Sequence, residues 1–207
     1  MVPLPSADLL EQKRALRGEM RARREALSAD ERRARAEAAC ARLLGLPEVG
    51  FLGGKVVAGY VAVRGEIDPA GALAGLAVRG ATIVLPRVVR TGGKLDFLRV
   101  DPGAELRPGA YGIPEPSSTL LHVVPAALDI VNLPGLAFDA AGRRVGSGGG
   151  YYDHTFTTAR PGTQRLIGLC YDFQLVERCP AEAHDLPVDI VVTESRVLKR
   201  PRGRRVA

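Results

Sequence analysis

The residues richest in chemistry lie in one run: Arg143-Arg144-Val145-Gly146-Ser147-Gly148-Gly149-Gly150-Tyr151-Tyr152-Asp153. Glycines at 146, 148, 149 and 150 open backbone conformations closed to other residues. Successive amide N–H groups can then converge on one anion. A helix starting just after the run would aim its positive end at the same place. Arg143 or Arg144 would add charge-assisted hydrogen bonds, each worth roughly 1.5–3 kcal/mol. Asp153, at the far edge, could hold Mg²⁺ against bound phosphates. The run is not a Walker A loop, because no Gly-Lys-Ser/Thr follows, and it is not GxGxxG, because Tyr151 stands where the last glycine would be. Glycine clusters also make ordinary surface loops; the two tyrosines and the aspartate favour a phosphate site here.

Two further stretches carry acids. In Arg64-Gly65-Glu66-Ile67-Asp68-Pro69, at the end of the first strand, Glu66 could bind an amine or amide of a substrate or act as a base, or be an ordinary loop acid. Asp68 reads as a helix cap. Asp189, after Pro187, opens a buried strand; it is either a second metal-supporting carboxylate or a capped strand entry. His122, His154 and His184 have no partner at ligand spacing, and no GxSxG elbow or Cys/His pairing argues for covalent catalysis.

The elements that must position these groups alternate between strand and helix. Residues Ala7 to Leu27 read as a helix with apolar Leu9, Leu10, Leu16, Met20 and Leu27. Ser28-Ala29-Asp30-Glu31 is a capping box that starts a second helix running to about Leu44. VVAGYVAV, from Val56, is a buried-strand pattern. Asp68-Pro69 opens a helix over Ala70 to Val78 that stops at Gly80. Strands follow at ATIVLPRVV and, after a Thr91-Gly92-Gly93 hairpin turn, at KLDFLRV. Asp129 to Leu136, Arg165 to Tyr171 and Val188 to Thr193 are later strands, and a helix covers about Tyr151 to Thr158. This alternation implies a mostly parallel sheet with helices on both faces.

Composition narrows the class. The chain has 207 residues, 46% hydrophobic and 25% charged, which suits one domain over residues 1–195 with a helical arm at 7–44. Six of its 29 basic residues follow Glu194; the other 23 match the 23 acidic ones. The +6 net charge therefore sits on a short segment, 196–207, expected to be a flexible solubilising tail rather than a nucleic-acid arm. Cys40, Cys170 and Cys179 form no CxxC pair, so neither zinc nor a disulfide framework is expected, and a reducing cytoplasm fits. No signal-peptide pattern or membrane-length apolar stretch is present.

These pieces, in this order, resemble the 5-formyltetrahydrofolate cyclo-ligase family. The resemblance rests on Lys13-Arg14-Ala15-Leu16-Arg17, Arg23 to Ser28, Gly65-Glu66-Ile67-Asp68, Leu85-Pro86-Arg87 and Gly112-Ile113-Pro114-Glu115-Pro116. It is strongest from Leu133 through Phe138-Asp139 and Gly142-Arg143-Arg144 into Gly148-Gly149-Gly150-Tyr151-Tyr152-Asp153. His184-Asp185, Val188-Asp189 and Thr193-Glu194 close the set. It implies a three-layer α/β/α fold of the isomerase/CoA-transferase-like type. It also implies conversion of 5-formyltetrahydrofolate to 5,10-methenyltetrahydrofolate by a cytoplasmic, monomeric enzyme that uses ATP as co-substrate and Mg²⁺.

Carried over by motif, Lys13, Arg14 and Arg17 would contact ATP phosphates. Arg144, Val145, Gly146, Ser147, Gly148, Gly149, Gly150, Tyr151 and Tyr152 would wrap the triphosphate, and Asp153 and Asp189 would serve the metal. Val61, Glu66, Tyr111 and Tyr152 would line the folate site, with Glu66, Arg144 and Tyr152 closest to the chemistry. Ser147 and Gly149 stand where some members have basic residues, His154 where many have arginine, and Val145 where leucine is usual. Two competing readings are a sugar-phosphate isomerase-like activity on the same fold, which needs no ATP, and a nucleic-acid module on the arginine-rich helices and tail, whose affinity would fall steeply with salt.

Overall fold

A computed structural model describes residues 7–89, 93–101, 104–117, 119–156, 163–182 and 185–200. In chain order its helices and strands are α1 (Ala7–Glu25), α2 (Ala29–Leu44), β1 (Val56–Ala58), α3 (Ala70–Val78), β2 (Thr82–Val88), β3 (Leu95–Arg99), β4 (Arg107–Pro108), β5 (Pro114–Glu115), β6 (His122–Val123), β7 (Ile130–Leu133), β8 (Ala137–Phe138), β9 (Arg144–Val145), α4 (Tyr151–Phe156), β10 (Arg165–Leu169), β11 (Ile190–Val192) and β12 (Val197–Lys199). Thr91, Gly92, Thr157, Thr158, His184 and residues 201–207, on which expectations also fell, lie outside the described residues.

The main sheet has eight strands in the order β12-β11-β10-β7-β1-β2-β3-β6. Its middle, from β11 to β2, is parallel, and β12, β3 and β6 add antiparallel edges. The parallel strands are buried on both faces, which explains their unbroken apolar sequences. One face packs Val57, Ile83, Ile130, Ile167 and Ile190 against Ala39, Cys40 and Leu43 of α2 and Leu76 of α3. The other packs Val84, Val131, Leu133 and Val191 against Phe138 and Phe156. The α/β class is as expected, but the layers are unequal. Among the described residues the second face is covered by α4 and the β8–β9 hairpin, not by long helices.

Local chemistry sets the helix ends. Ser28 Oγ accepts from Glu31 N–H at 3.2 Å, and Glu31 accepts from Ser28 N–H at 2.8 Å, so the capping box forms. Asp68 accepts from Ala70 N–H at 2.9 Å and shapes the entry to α3. α1 lays Met20 on Leu136, Ala137 and Val145, which seats the arm on the β8–β9 hairpin.

Two expectations are corrected. VVAGYVAV pairs as a strand only over Val56–Ala58; beyond it the chain leaves the ladder and carries Tyr60 and Val61 toward the cleft described below. The basic C-terminal segment does not begin as a tail: Val197–Lys199 pairs with β11 as an edge strand, Lys199 bonds Glu48 at 2.7 Å, and Arg196 pairs with Asp172 at 3.4 Å. Its apolar signal is only two residues, Val197 and Leu198, set among basic ones. Cys40, Cys170 and Cys179 are free and buried. Burial pushes all three thiols up, Cys179 to about 12, which keeps them protonated and unreactive. No helix among the described residues is long and apolar enough to cross a membrane.

Candidate active site

A cleft of about 630 Å³ opens at the C-terminal ends of the parallel strands, between α1 and the β9–α4 connection. That is the usual ligand edge of an open α/β sheet. One wall is the glycine run. Gly148 and Gly150 take φ values of 112° and 65°, a region that residues with a Cβ enter only under strain. Arg17 Nε donates to Gly146 C=O at 2.9 Å and Arg21 Nη2 to Ser147 C=O at 3.3 Å. The loop is therefore tied to α1 through its carbonyls. Among the described residues, the N–H groups of Ser147, Gly148, Gly149 and Gly150 donate to no protein acceptor. Unspent amides beside α1 arginines make an anion cradle. α4 spans six residues, so these amides, more than a helix dipole, carry the attraction.

Beneath the loop, Arg144 is buried. Its Nη2 donates to Asp153 Oδ1 at 3.0 Å and its Nη1 to Pro134 C=O at 3.2 Å, and its guanidinium lies 5.9 Å from the Tyr152 ring centroid. Asp153 Oδ1 also accepts from Leu186 N–H at 3.0 Å. Tyr152 stacks on Phe156 with centroids 6.4 Å apart. Burial, and then the Glu66 charge, raises its phenol far above the ordinary tyrosine range, so it stays a neutral donor. At the rim, Tyr151 and Tyr111 share a 2.6 Å hydroxyl contact, and Tyr111 itself has φ 57°.

The opposite wall is built around Glu66. A left-handed turn at Arg64 (φ 50°) and Gly65 (φ 70°) brings it in after β1. Glu66 Oε2 accepts from Val63 N–H at 3.2 Å, and Oε1 lies 3.6 Å from Arg24 Nη1. Burial raises the Glu66 carboxyl above its usual range, and Arg24 opposes that rise. Tyr60, whose hydroxyl donates to Ile67 C=O at 2.6 Å, and Val61 stand beside it.

The sequence-derived residues divide accordingly. Lys13, Arg17, Val61, Glu66, Tyr111, Asp153 and the run from Arg144 to Tyr152 all line the cleft. Lys13 Nζ is already engaged, 2.8 Å from Glu182 and 2.7 Å from Asp185. Burial works against its charge, but those two acids outweigh it and hold its pKa above the ordinary lysine value.

Arg14 is not brought to the cleft: its side chain is 83% exposed and faces Glu11 at 4.0 Å. On α1 the cleft side is the row Leu10, Lys13, Arg17, Arg21 and Arg24, and Arg14 falls a third of a turn away from Lys13. Asp189 is not brought there either. It precedes β11, and its Oδ2 accepts from Leu166 N–H at 2.9 Å at the start of β10, at the opposite edge of the sheet from Glu66. The strand-entry alternative holds for it. Arg143 pairs outside the cleft with buried Asp139 at 2.6 Å, and Arg144 is the inward arginine.

Sequence reasoning missed Arg24, Arg21 and Glu115. The first two fall on the same helical row as Lys13 and Arg17, a spacing visible in the sequence but masked by the many exposed arginines around it. Buried Glu115 accepts from Val88 and Ala110 N–H at 3.2 Å each and fixes the loop that carries Tyr111. Gly109 leaves room for it, since a Cβ there would lie 2.2 Å from the Glu115 carboxyl carbon.

Fold and site together define an α/β enzyme with an anion cradle facing a buried acid across one cleft. The model of the 5-formyltetrahydrofolate cyclo-ligase family matches residues 10–194. The 5-formyltetrahydrofolate cyclo-ligase of Escherichia coli (strain K12) is 33% identical over 180 residues, covering 86% of this chain and 98% of that protein. The solved structure of Aquifex aeolicus 5,10-methenyltetrahydrofolate synthetase aligns with a TM-score of 0.77 at 35% identity, covering 94% of this chain and 96% of that one. The Mycoplasma pneumoniae 5,10-methenyltetrahydrofolate synthetase, 22% identical, shares the fold with a TM-score of 0.70 over 88% of this chain and 99% of that one. The chain belongs to the 5-formyltetrahydrofolate cyclo-ligase family.

Proposed function

We propose that this chain converts 5-formyltetrahydrofolate to 5,10-methenyltetrahydrofolate with ATP and Mg²⁺, releasing ADP and phosphate through a phosphorylated formyl intermediate. The observation that carries this reading is the placement of the open amides of Ser147 to Gly150 and the buried Glu66 on two walls of one cleft. A phosphate donor and a second, polar substrate can meet there without an enzyme nucleophile. A cytoplasmic, monomeric setting is part of the same reading.

A formamide oxygen is a poor leaving group. In the proposed reaction it attacks the γ-phosphorus, the bond from that phosphorus to the ADP oxygen breaks, and the oxygen becomes part of a good leaving group. N10 then adds to the activated formyl carbon and loses its proton. The carbon–oxygen bond breaks, phosphate departs with the electron pair, and the ring is left as an amidinium. The protein's work is positioning and charge neutralisation. The loop amides, Arg17 and Arg144 would stabilise charge on the transferred phosphoryl group. Glu66 would accept hydrogen bonds from N–H groups of the folate, and Tyr152 would donate where the two ligands meet.

Asp153 is the carboxylate suited to Mg²⁺, which commonly takes one or two carboxylates beside substrate phosphates. It lines the cleft next to the cradle, Arg144 and Leu186 fix its Oδ1, and Oδ2 has no hydrogen bond among the described residues. No cluster of three or more ligating side chains occurs among the described residues. Bound there, Mg²⁺ would offset charge on the triphosphate.

The test is absorbance of methenyltetrahydrofolate formed from 5-formyltetrahydrofolate with and without ATP. Product only with ATP is expected; no product under either condition would sink the reading.

A further inference from the structure

Arg24 has no role in the chemistry set out above, yet it is the most fully enclosed arginine of the cleft, with 3% of its surface exposed. It comes from the last turn of α1 and reaches two other segments. Nη1 faces Glu66 Oε1 at 3.6 Å, in the turn after β1, and Nη2 donates to Gly135 C=O, in the turn after β7. Gly135 C=O also accepts from Gln174 Nε2 at 2.9 Å, so the anchoring carbonyl is itself held. Arg24 Nε is buried without a hydrogen-bond partner. A buried guanidinium with an unspent donor is costly unless its charge is needed.

We propose that Arg24 is the positioning residue that keeps Glu66 oriented and ionised for the folate. This rests on the folate role of Glu66 given above. The groups facing Glu66 are few. Arg24 comes from α1, Arg64 from its own turn, and Tyr60 and Tyr152 add like-signed influence if ionised. Arg32 of α2 packs against Gly65 and bonds Arg24 C=O at 3.5 Å. Among the described residues Arg24 is the cation paired with the Glu66 carboxylate. Burial favours the protonated acid, and a protonated Glu66 presents an O–H donor and gives up part of its accepting capacity toward ligand N–H groups. The pair at 3.6 Å counteracts this without occupying Glu66 in a tight bidentate grip, which leaves its oxygens for substrate.

The test is steady-state kinetics of wild type, Arg24→Gln, Glu66→Gln and the double variant across pH, with MgATP affinity measured separately. In Arg24→Gln the folate KM at neutral pH is expected to rise about tenfold or more, as for truncating one partner of a buried charge pair. Its acid limb should move to higher pH, so that raising pH restores part of the loss, while MgATP affinity holds. The double variant should match Glu66→Gln, because Arg24 acts through Glu66. An acid limb at the wild-type pH in Arg24→Gln, or a double variant worse than Glu66→Gln, overturns the inference alone. If Arg24→Gln does not fold, the comparison of Glu66→Gln with the double variant decides. An unchanged folate KM in Glu66→Gln would overturn the folate role of Glu66 and this inference with it.

Discussion

On the glycine-loop wall the binding groups are main-chain amides, set by two left-handed glycines and held from behind by Arg17 and Arg21. On the facing wall the binding group is one carboxylate, buried and held by one guanidinium. The first wall tolerates side-chain change wherever backbone conformation survives. The second wall has no such freedom, because removing either charge strands the other in a low-dielectric site. The walls should thus fail differently, the loop through backbone strain and charge on phosphate, the acid wall through protonation.

The largest effect is expected between them, at Asp153. Asp153→Asn keeps an oxygen for Arg144 and Leu186 but removes the charge. Turnover should fall about 10²- to 10³-fold, the scale of losing one preorganised electrostatic contact in a transition state. The melting temperature should fall, because buried Arg144 loses the charge of its partner, but the protein should remain folded at the assay temperature. Near-normal turnover at saturating Mg²⁺ would remove Asp153 from the metal site.

Next is Gly148→Ala, at φ 112°. Strain of about 1–3 kcal/mol is expected at such a backbone position. It should raise the ATP KM roughly tenfold through a reshaped cradle, with the folate KM unchanged. Equal rises in both constants would mean that the walls are not separable.

The acid wall has a pH signature of its own. Burial raises the Glu66 pKa, with Arg24 opposing, so the folded state binds this proton more tightly than the unfolded chain. By linkage this group's contribution to stability is present below the ordinary glutamate pKa and is lost as pH rises through the raised folded value. Glu66→Gln lacks that loss. Its melting temperature relative to wild type should therefore climb from pH 4.5 to pH 7, and parallel melting curves over that range would contradict the assignment.

How much of this was legible in the sequence follows the same division. The glycine run and the capping box of α2 are local signals, and each forms where its residues stand. Glu66 was legible because it lies in the segment after the first strand, on the ligand edge of the sheet, although that strand ends earlier than its apolar run. Arg24 was not, because an arginine among exposed arginines reads as solvated until the turns after β1 and β7 close over it. Asp189 was open between a metal-supporting carboxylate and a strand entry; its bond to Leu166 N–H at the start of β10 places it at the strand-entry end of the sheet. Val197–Lys199 became an edge strand because β11 offered an unpaired side, a tertiary fact that composition cannot show.

The smallest effect tests whether the two walls communicate. Tyr111, on the loop fixed by Glu115, touches Tyr151 of the glycine run through their hydroxyls at 2.6 Å, with the rings edge to face at 6.2 Å. Both hydroxyls are exposed, so water can replace either partner, and the bond is worth little on its own. Tyr111→Phe keeps the ring contact and removes the bridge. If the bridge only closes the rim, each substrate's KM should change by no more than about twofold to threefold, and independently of the other substrate. If it links the walls, saturating ATP should lower the folate KM in wild type and lose that influence in Tyr111→Phe, because coupling between two sites is reciprocal. Since the Glu66 charge already acts on Tyr152 of the loop wall, the first outcome is expected. A lost ATP dependence of the folate KM would assign the coupling to the tyrosine pair instead.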